Sequence, residues 1–173
     1  MTSFLFSCKQ QKKEDNTFLN YIITIPELKL PFKTNSHLEL NSKIELDTIF
    51  NKYNAGINGV LGKRQINDSV FFIVNLLAGD NLFPELVTYN KAGLKIHQLT
   101  LVNCPGGSSG YNETGSSYLY FDKNLNITIT DSIETFNRDS TGQIIGNSKK
   151  QKIEVNNYKI DPDGKIRKWI NHY

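Results

Sequence analysis

Apolar and polar residues alternate along the second half of the chain, and short polar turns interrupt the alternation. Between residues 86 and 169 one pattern occurs four times: a run of β-branched and aromatic residues, a turn opened by Asp or Asn, and Ile or Leu leading into the next run. The four copies span 87–96, 118–127, 135–144 and 158–166. Runs of this kind, with every second residue apolar, are typical of strands with one buried face. We therefore predict four antiparallel hairpins.

The turns contain residue types that close hairpin loops. An Asp or Asn side chain at the first turn position can accept a hydrogen bond from the backbone two residues on, and Pro162 restricts φ. Gly93, Gly142, Gly164 and, in the second copy, Asn124 are predicted to take the left-handed conformation. The copies are irregularly spaced, which favours one curved sheet over a solenoid or a propeller.

The first half of the chain predicts a mixture of elements. Residues 18–25 read as a strand, and 26–31, with a proline at each end, as an edge segment or extended loop. Within residues 41–53, Ile49, Phe50 and Tyr53 keep helical spacing behind Asp47, a candidate N-cap, and this stretch predicts one short helix. Asn58-Gly59 is a hairpin-turn signal.

The longest apolar run, 70–78, is too short to span a membrane and predicts a buried central strand.

Together these patterns predict a mainly β fold, all-β or α+β. We expect a single curved antiparallel meander or barrel-like sheet of about eight or more strands, with roughly eight of them between residues 86 and 170 and one short N-terminal helix. A chain of 173 residues suits one domain. We place that domain at 18–173, after a separate segment at 1–17.

The start of the chain resembles the end of a bacterial lipoprotein signal peptide. Leu5-Phe6-Ser7-Cys8 stands at the position of the lipobox, and the polar run 9–16 follows it. The resemblance implies that 1–17 is a signal-peptide remnant with a flexible tether, and that the Cys8 thiol carries a diacylglycerol anchor in the membrane. The alternative is an ordinary N-terminus in which Cys8 has no role.

The order of later features is similar to that in a group of small uncharacterised lipoproteins of Bacteroidota-type bacteria. The resemblance rests on a Leu-Pro-Phe segment at 30–32, the stretch 84–96 and the final 158–166. It implies a location in the cell envelope, and it supplies no catalytic residue.

Charge and cysteine content narrow the choice of function. The chain has 20 Lys and Arg and 17 Asp and Glu, a net charge of +3. The basic clusters at 149–152 and 165–168 alternate with acids, which predicts a solvated surface and no nucleic-acid partner. Cys104 is the second of two cysteines. If Cys8 is acylated, Cys104 has no disulfide partner within the chain.

Two stretches have the residue types of a nucleophile site. Gly106-Gly107-Ser108-Ser109-Gly110 has the spacing of a nucleophile elbow, but a turn-like segment follows it where the elbow needs a helix. A flexible Gly/Ser loop is the preferred interpretation. Cys104 could act as a nucleophile beside a histidine, for which His37, His97 and His172 are the candidates. An inert buried cysteine is preferred, so no catalytic residue is assigned.

Two acidic turns are candidates for calcium sites. Residues 137–144 match the first eight positions of an EF-hand loop, but Ser148 stands where a bidentate Glu is needed. Asp161 and Asp163 supply two carboxylates without further ligands nearby in sequence. We interpret both as hairpin turns and predict neither a metal nor another cofactor.

Three functions follow as hypotheses. The preferred one is a non-enzymatic, lipid-anchored binding protein of the envelope, periplasmic or surface-exposed, with a protein partner; a toxin-neutralising immunity protein is a specific version. The second is a small-ligand carrier with an apolar cavity of several hundred Å³ inside a barrel, a size taken from typical ligand pockets. The third, ranked last, is a hydrolase or thiol enzyme that uses the 104–111 loop.

Overall fold

A computed structural model describes residues 17–35, 53, 57–77, 83–101 and 112–169. Within these residues the chain forms one α-helix, α1 (Thr17–Thr24), and nine strands. The strands are β1 (Phe32–Asn35), β2 (Ile57–Asn67), β3 (Val70–Leu77), β4 (Phe83–Asn90), β5 (Lys95–Thr100), β6 (Glu113–Phe121), β7 (Asn126–Thr135), β8 (Lys150–Ile160) and β9 (Ile166–Trp169).

The strands belong to two antiparallel sheets. The four-stranded sheet has the order β2-β3-β4-β5, and the five-stranded sheet has the order β1-β6-β7-β8-β9. Neighbours along the chain are neighbours in space in both, except that β1 pairs with β6. The predicted mainly β class and antiparallel meander are confirmed, with the difference that the described strands divide between two sheets and close no barrel. Among the described residues, six strands lie between 83 and 169, where about eight were expected between 86 and 170.

The sheets and helix form three layers. The space between the sheets is filled by a cluster of buried side chains: Leu28, Phe72, Val74, Leu86, Leu101, Leu119, Phe121, Ile127, Ile129, Ile160 and Ile166. Phe72 and Phe121 meet across this interface with ring centroids 5.2 Å apart. The other face of the four-stranded sheet is covered by α1. As a result β3 is buried over almost its whole length, as its continuous apolar run predicts.

Helix α1 replaces the strand predicted at 18–25, so that prediction is wrong. Phe18, Tyr21 and Ile22 are buried on one side of the helix, with the spacing i, i+3, i+4. Phe18 packs against Tyr89 of β4 with ring centroids 5.3 Å apart. The β-branched Ile22 and Ile23 and the neighbouring aromatic residues favour a strand by local propensity. The helix forms because it packs its apolar side against the sheet.

The other first-half predictions have mixed outcomes. The 26–31 segment runs along the edge of β2, where Leu28 donates a backbone hydrogen bond of 2.7 Å to Lys63, so the edge interpretation is confirmed. Asn58-Gly59 is not a turn, because Gly59 pairs with Leu76 inside β2. The β2–β3 turn lies at 68–69 instead. The helix predicted at 41–53 lies outside the described residues, except that Tyr53 is helical.

The four predicted hairpin turns are confirmed and share one geometry. In each, the backbone N–H of the first Asn or Asp donates to the carbonyl four residues on, at 2.9–3.0 Å. The left-handed position is Gly93, Gly142 and Gly164 in three turns. In the second turn it is Leu125, with φ 65°, and not the predicted Asn124. The third hairpin, around Asp139, closes with an isolated bridge beyond the ends of β7 and β8.

The β8–β9 turn joins the two sheets. Its Gly164 carbonyl accepts a buried 2.7 Å hydrogen bond from the Thr88 hydroxyl of β4. The Pro162 carbonyl accepts one of 2.7 Å from the Asn67 amide at the end of β2. A Cβ at Gly164 would lie 2.7 Å from Cδ1 of Ile96, so the turn seats directly on the four-stranded sheet. This contact fixes one end of the five-stranded sheet on its neighbour.

Candidate interaction surface

The five-stranded sheet has one covered face and one open face. Leu119 and Phe121 of β6 and Ile127 and Ile129 of β7 point into the core between the sheets. Residues of opposite parity point to solvent, because side chains alternate across a strand. We call this solvent-facing side the outer face, and its central side chains are Lys33, Tyr118, Tyr120, Thr128, Thr130, Ser132, Ile153, Val155, Asn157, Lys159, Arg167 and Trp169.

The outer face is unusually apolar on β8. Ile153 is 63% exposed and Val155 56% exposed. The sequence predicts a strand with one buried face here, and the period of two is correct, but the apolar side is the open one. Glu154 and Asn156 point toward the other sheet instead. Nothing in the packing of the described residues requires β-branched aliphatics at 153 and 155.

Two transverse rows organise the outer face. One runs from Tyr118 on β6 through Thr130 on β7 to Val155 on β8. The second crosses all five strands. Its members are Lys33, Tyr120, Thr128, Asn157 and Trp169.

The aromatic residues stand at both sides of the outer face. Tyr118 is 44% and Trp169 42% exposed. Three strand spacings of about 4.8 Å separate Tyr120 from Trp169, a span of about 14 Å. Between them Thr128 donates a 3.0 Å hydrogen bond to the Asn157 side chain, so a polar strip separates the aromatic side chains of the row.

The fixed charges of the outer face are mainly positive. The Lys33 ammonium lies 5.2 Å from the centre of the Tyr120 ring, and Lys159 extends from β8 beside Arg167 of β9. Of the carboxylates at its margin, Glu134 pairs with Lys149 at 3.2 Å and Asp161 pairs with Arg167, while Asp122 accepts hydrogen bonds from the backbone and side-chain amide of Asn126. The outer face thus combines apolar and aromatic side chains with a cationic border.

A cleft of about 440 Å³ opens at the far end of the five-stranded sheet. Its lining residues are Asn112, Glu113, Thr135, Phe136, Asn137, Ser148 and Lys150. Several of these groups bond to each other; the backbone N–H of Asn137, for example, donates to the Ser148 hydroxyl at 2.8 Å. The cleft differs from the apolar interior cavity that the carrier hypothesis predicts, because it lies at the surface and the described interior between the sheets is filled by side chains.

A buried acid lies on the covered face of the same sheet. Asp131 is 1% exposed and accepts a hydrogen bond from the Ser117 hydroxyl across β6 and β7. Burial, followed by the Asp131 charge, raises the pKa of Tyr158 on β8. A Ser–Asp pair needs a histidine to become a nucleophile site, and His97, the one histidine among the described residues, is occupied elsewhere. The pair is best understood as a buried carboxylate with a hydroxyl partner.

His97 has a structural role. Its Nδ1 accepts a 2.8 Å hydrogen bond from the backbone N–H of Ile166, which joins β5 to β9. The other residues proposed for chemistry, Cys8, Cys104, the 106–110 loop, His37 and His172, lie outside the described residues. The lipidation of Cys8 and the inert character of Cys104 therefore stay predictions.

The acidic turns use their carboxylates as turn-closing groups. Asp139 accepts hydrogen bonds from the Thr141 hydroxyl at 2.6 Å and from the backbone of Thr141 and Gln143, and these bonds lower its pKa. Asp163 accepts from the backbone N–H of Lys165 at 3.1 Å, which likewise lowers its pKa. Within the part of the chain that the structure describes, no group of three or more His, Cys, Asp or Glu side chains is arranged to hold a metal ion.

The basic clusters at 149–152 and 165–168 contain several ion pairs. Lys149 pairs with Glu134 at 3.2 Å, Lys152 with Glu154, and Lys165 with Asp163 at 3.4 Å. Each of these pairs is at the surface, where an ion pair contributes little to stability.

Comparison of the chain with protein families, with curated proteins and with solved structures finds no match. None of the described helices combines the length and apolar character needed to cross a membrane.

The exposure of Ile153 and Val155 is not among the predictions from sequence, although the sequence contains a signal for it. Ile160 is buried next to Ile166 at the start of the last hairpin. Ile153 and Val155 are seven and five positions before Ile160. Odd separations along a regular strand place residues on opposite faces. Counting from the β8–β9 turn therefore predicts that these two side chains are exposed.

Proposed function

We propose that this protein is a non-enzymatic interaction module of the bacterial envelope, held at the membrane by a lipid on Cys8, and that it contacts a protein partner through its outer face. The observation that carries the proposal is the exposed apolar and aromatic content of that face. Ile153, Val155, Tyr118 and Trp169 are all large, apolar and at least 42% exposed on the same side of one sheet.

The composition of the outer face matches the anatomy of protein interfaces. Tyr, Trp and Arg are enriched at such interfaces, and charged groups are depleted at their centres. The centre here is formed by Tyr118, Thr130 and Val155, while Lys33 and Lys159 lie toward the border. Exposed apolar groups collected on one surface, as opposed to scattered singly, mark interaction sites.

The envelope location is supported by the sequence alone. The Leu5-Phe6-Ser7-Cys8 segment, the polar run 9–16 and the resemblance to small lipoproteins favour an acylated Cys8. An immunity protein that captures a toxin in the envelope is the specific version, and a toxin gene adjacent to this one would support it.

The anchor is tested by mass spectrometry of the full-length gene product recovered from its native membranes. We expect the mass of a diacylglyceryl group on Cys8 and its loss in Cys8→Ser. An unmodified Cys8 in the soluble fraction would contradict the envelope location and leave the binding proposal to be judged on the surface itself.

The contact surface is tested by the size of the species extracted from those membranes in mild detergent. We expect a complex larger than the monomer, lost in Val155→Asp and retained in Leu94→Asp. Leu94 is a matched control because it is 65% exposed on the four-stranded sheet's β4–β5 turn. A monomer in all three samples would contradict the proposed function.

A further inference from the structure

We infer that the partner of the outer face is a protein surface with an apolar centre and a border of Asp and Glu side chains. This inference rests on the proposed function, since it assumes that the outer face binds, and it adds the chemistry of the bound surface.

The charge on the outer face selects an acidic partner. Among the described residues, Lys33 and Lys159 are its cations that form no ion pair, whereas Arg167 is paired with Asp161. Of its marginal carboxylates, Glu134 and Asp161 already have cationic partners within the chain, and Asp122 is bonded to the backbone and side-chain amide of Asn126. A docked surface therefore meets the positive charge of Lys33 and Lys159 at the border, and the described carboxylates there are already engaged by groups of this chain. Complementary charge accelerates association and suppresses wrong partners.

The aliphatic side chains select a protein over a glycan. Tyr118, Tyr120 and Trp169 could stack on sugar rings, and the hydroxyls of Thr128 and Thr130 could bond to them. Ile153 and Val155, however, are the most exposed apolar residues of the face. Their side chains can neither form hydrogen bonds with a hydroxyl-rich glycan chain nor stack on its sugar rings as aromatic residues do. Burial of about 25 cal/mol per Å² of apolar surface favours a partner that is itself apolar at that point.

A second copy of the chain fits poorly. In a symmetric dimer the same patch lies on both partners. Two outer faces in contact would enclose Lys33 and Lys159 of both copies in one interface without supplying an added carboxylate to pair with them. Like charges that face each other across an interface are unfavourable by several kcal/mol as a general rule, so self-association through this face is disfavoured.

The partner is identified by photo-crosslinking in the source cells. A benzophenone amino acid replaces Val155 in one variant and Leu94 in a control variant; both positions are exposed, and they lie on different sheets. We expect a protein adduct at position 155 that is absent at position 94. The crosslinked segment of the partner should contain apolar residues flanked by Asp and Glu.

The same partner, once purified, is titrated into the complete protein. Trp169 is the one tryptophan of the chain, so its fluorescence reports directly on the outer face. We expect a blue shift on binding, because the indole passes from water into an interface. Val155→Asp should weaken binding by about 30-fold or more, as for a residue at the centre of an interface.

The double variant Lys33→Glu/Lys159→Glu tests the charge complementarity separately. It should slow association about tenfold at low salt and lose most of that effect at about 1 M salt, where charges are screened. Lys91→Glu, at an exposed turn of the four-stranded sheet, is the matched control and should leave association unchanged. Both charge variants lie on the surface, so folding is preserved even if Val155→Asp perturbs β8.

Each outcome decides the inference. A protein adduct with an acidic border and a slower association of the double variant support it. An adduct with a second copy, a basic partner or an unchanged association rate overturns it, while the outer face still binds a protein and the proposed function stands. A polysaccharide adduct overturns both, because the proposed function requires a protein partner. No adduct at position 155, together with a monomer in detergent, overturns both.

Discussion

The two sheets of this protein use the same antiparallel hairpins and differ in how many of their faces are covered. The four-stranded sheet has α1 on one side and the five-stranded sheet on the other, and its central β3 is apolar almost throughout. The five-stranded sheet is covered on one side only. Its β7 alternates as a half-buried strand should, with Ile127 and Ile129 inside and Thr128 and Thr130 outside.

The difference between the covered and the open faces identifies the apolar residues whose presence packing does not explain. A sheet face open to water needs no large apolar residues, and β7 has none on its outer side. The neighbouring β8 has Ile153 and Val155 there, and β9 has Trp169. Since these side chains stabilise little in the isolated protein, their presence favours a role in binding.

The largest difference between the faces is expected from one substitution made on each. Ile129→Ala removes a fully buried side chain and should lower the free energy of unfolding by about 3 kcal/mol. Ile153→Ala removes an exposed one and should change it by less than about 0.5 kcal/mol. Urea unfolding followed by circular dichroism measures both values. Equal losses would mean that the outer face is structural.

Alanine substitutions at two glycines test the packing of the β8–β9 turn against the four-stranded sheet. Gly164 and Gly142 both have φ +83°, but a Cβ at 164 would meet Val70 and Ile96, whereas a Cβ at 142 would meet no atom within 4 Å. Gly142→Ala should cost about 1 kcal/mol from backbone strain alone. Gly164→Ala should cost about 3 kcal/mol, because steric overlap adds to the strain.

Thermal or urea unfolding of the two glycine variants separates the cost of backbone strain from the cost of steric overlap. A Gly164→Ala variant no less stable than Gly142→Ala would show that the turn does not pack against the four-stranded sheet in solution.

The helix-covered face should respond to alkaline pH. Burial, with a smaller contribution from Glu85, raises the pKa of Tyr89 from 10.0 to about 12. The pKa of Tyr89 is higher in the folded state than in the unfolded state. Its contribution to the free energy of unfolding is therefore fully present below pH 10 and is lost as the pH rises toward 12. The loss amounts to about 2–3 kcal/mol. Tyr89→Phe should remove this slope, and a slope unchanged in that variant would assign it to other groups.

The smallest difference is expected from the two threonines. Thr88→Val leaves the buried Gly164 carbonyl without its 2.7 Å hydrogen bond and should cost about 1–2 kcal/mol. Thr128→Val breaks a 3.0 Å bond on the open face, where water can replace it, and should cost a few tenths of a kcal/mol at most. Equilibrium unfolding at neutral pH compares them, and a larger cost at Thr128 would contradict the assignment of covered and open faces.

Local chemistry made the hairpins predictable. An Asp or Asn that caps the turn and a glycine three residues later specify the loop without reference to the rest of the chain, as in the turns that begin at Asn90 and Asp139. Leu125 is the exception. It takes a left-handed conformation that its own residue type disfavours, and it packs against the core between the sheets.

Features that depend on distant partners were not predictable in the same way. The segment 18–25 has both strand-forming residues and helical spacing, and only its packing on β3 and β4 selects the helix. The place of β1 at the edge of the five-stranded sheet depends on its pairing with β6, across about eighty residues of chain. Side chains alternate between the two faces of β8. The face on which Ile153 and Val155 lie can therefore be predicted only once the position of the β8–β9 turn is known.

The central claim is that the outer face is a binding surface, and hydroxyl-radical footprinting tests it most directly. Oxidation of Tyr118, Tyr120 and Trp169 is measured by mass spectrometry in the purified protein and in intact source cells. We predict strong labelling in the purified protein and several-fold protection in cells, while the exposed Leu94 and Ile23 are labelled equally in both. Equal labelling of the three outer-face aromatics in the two samples would contradict the claim.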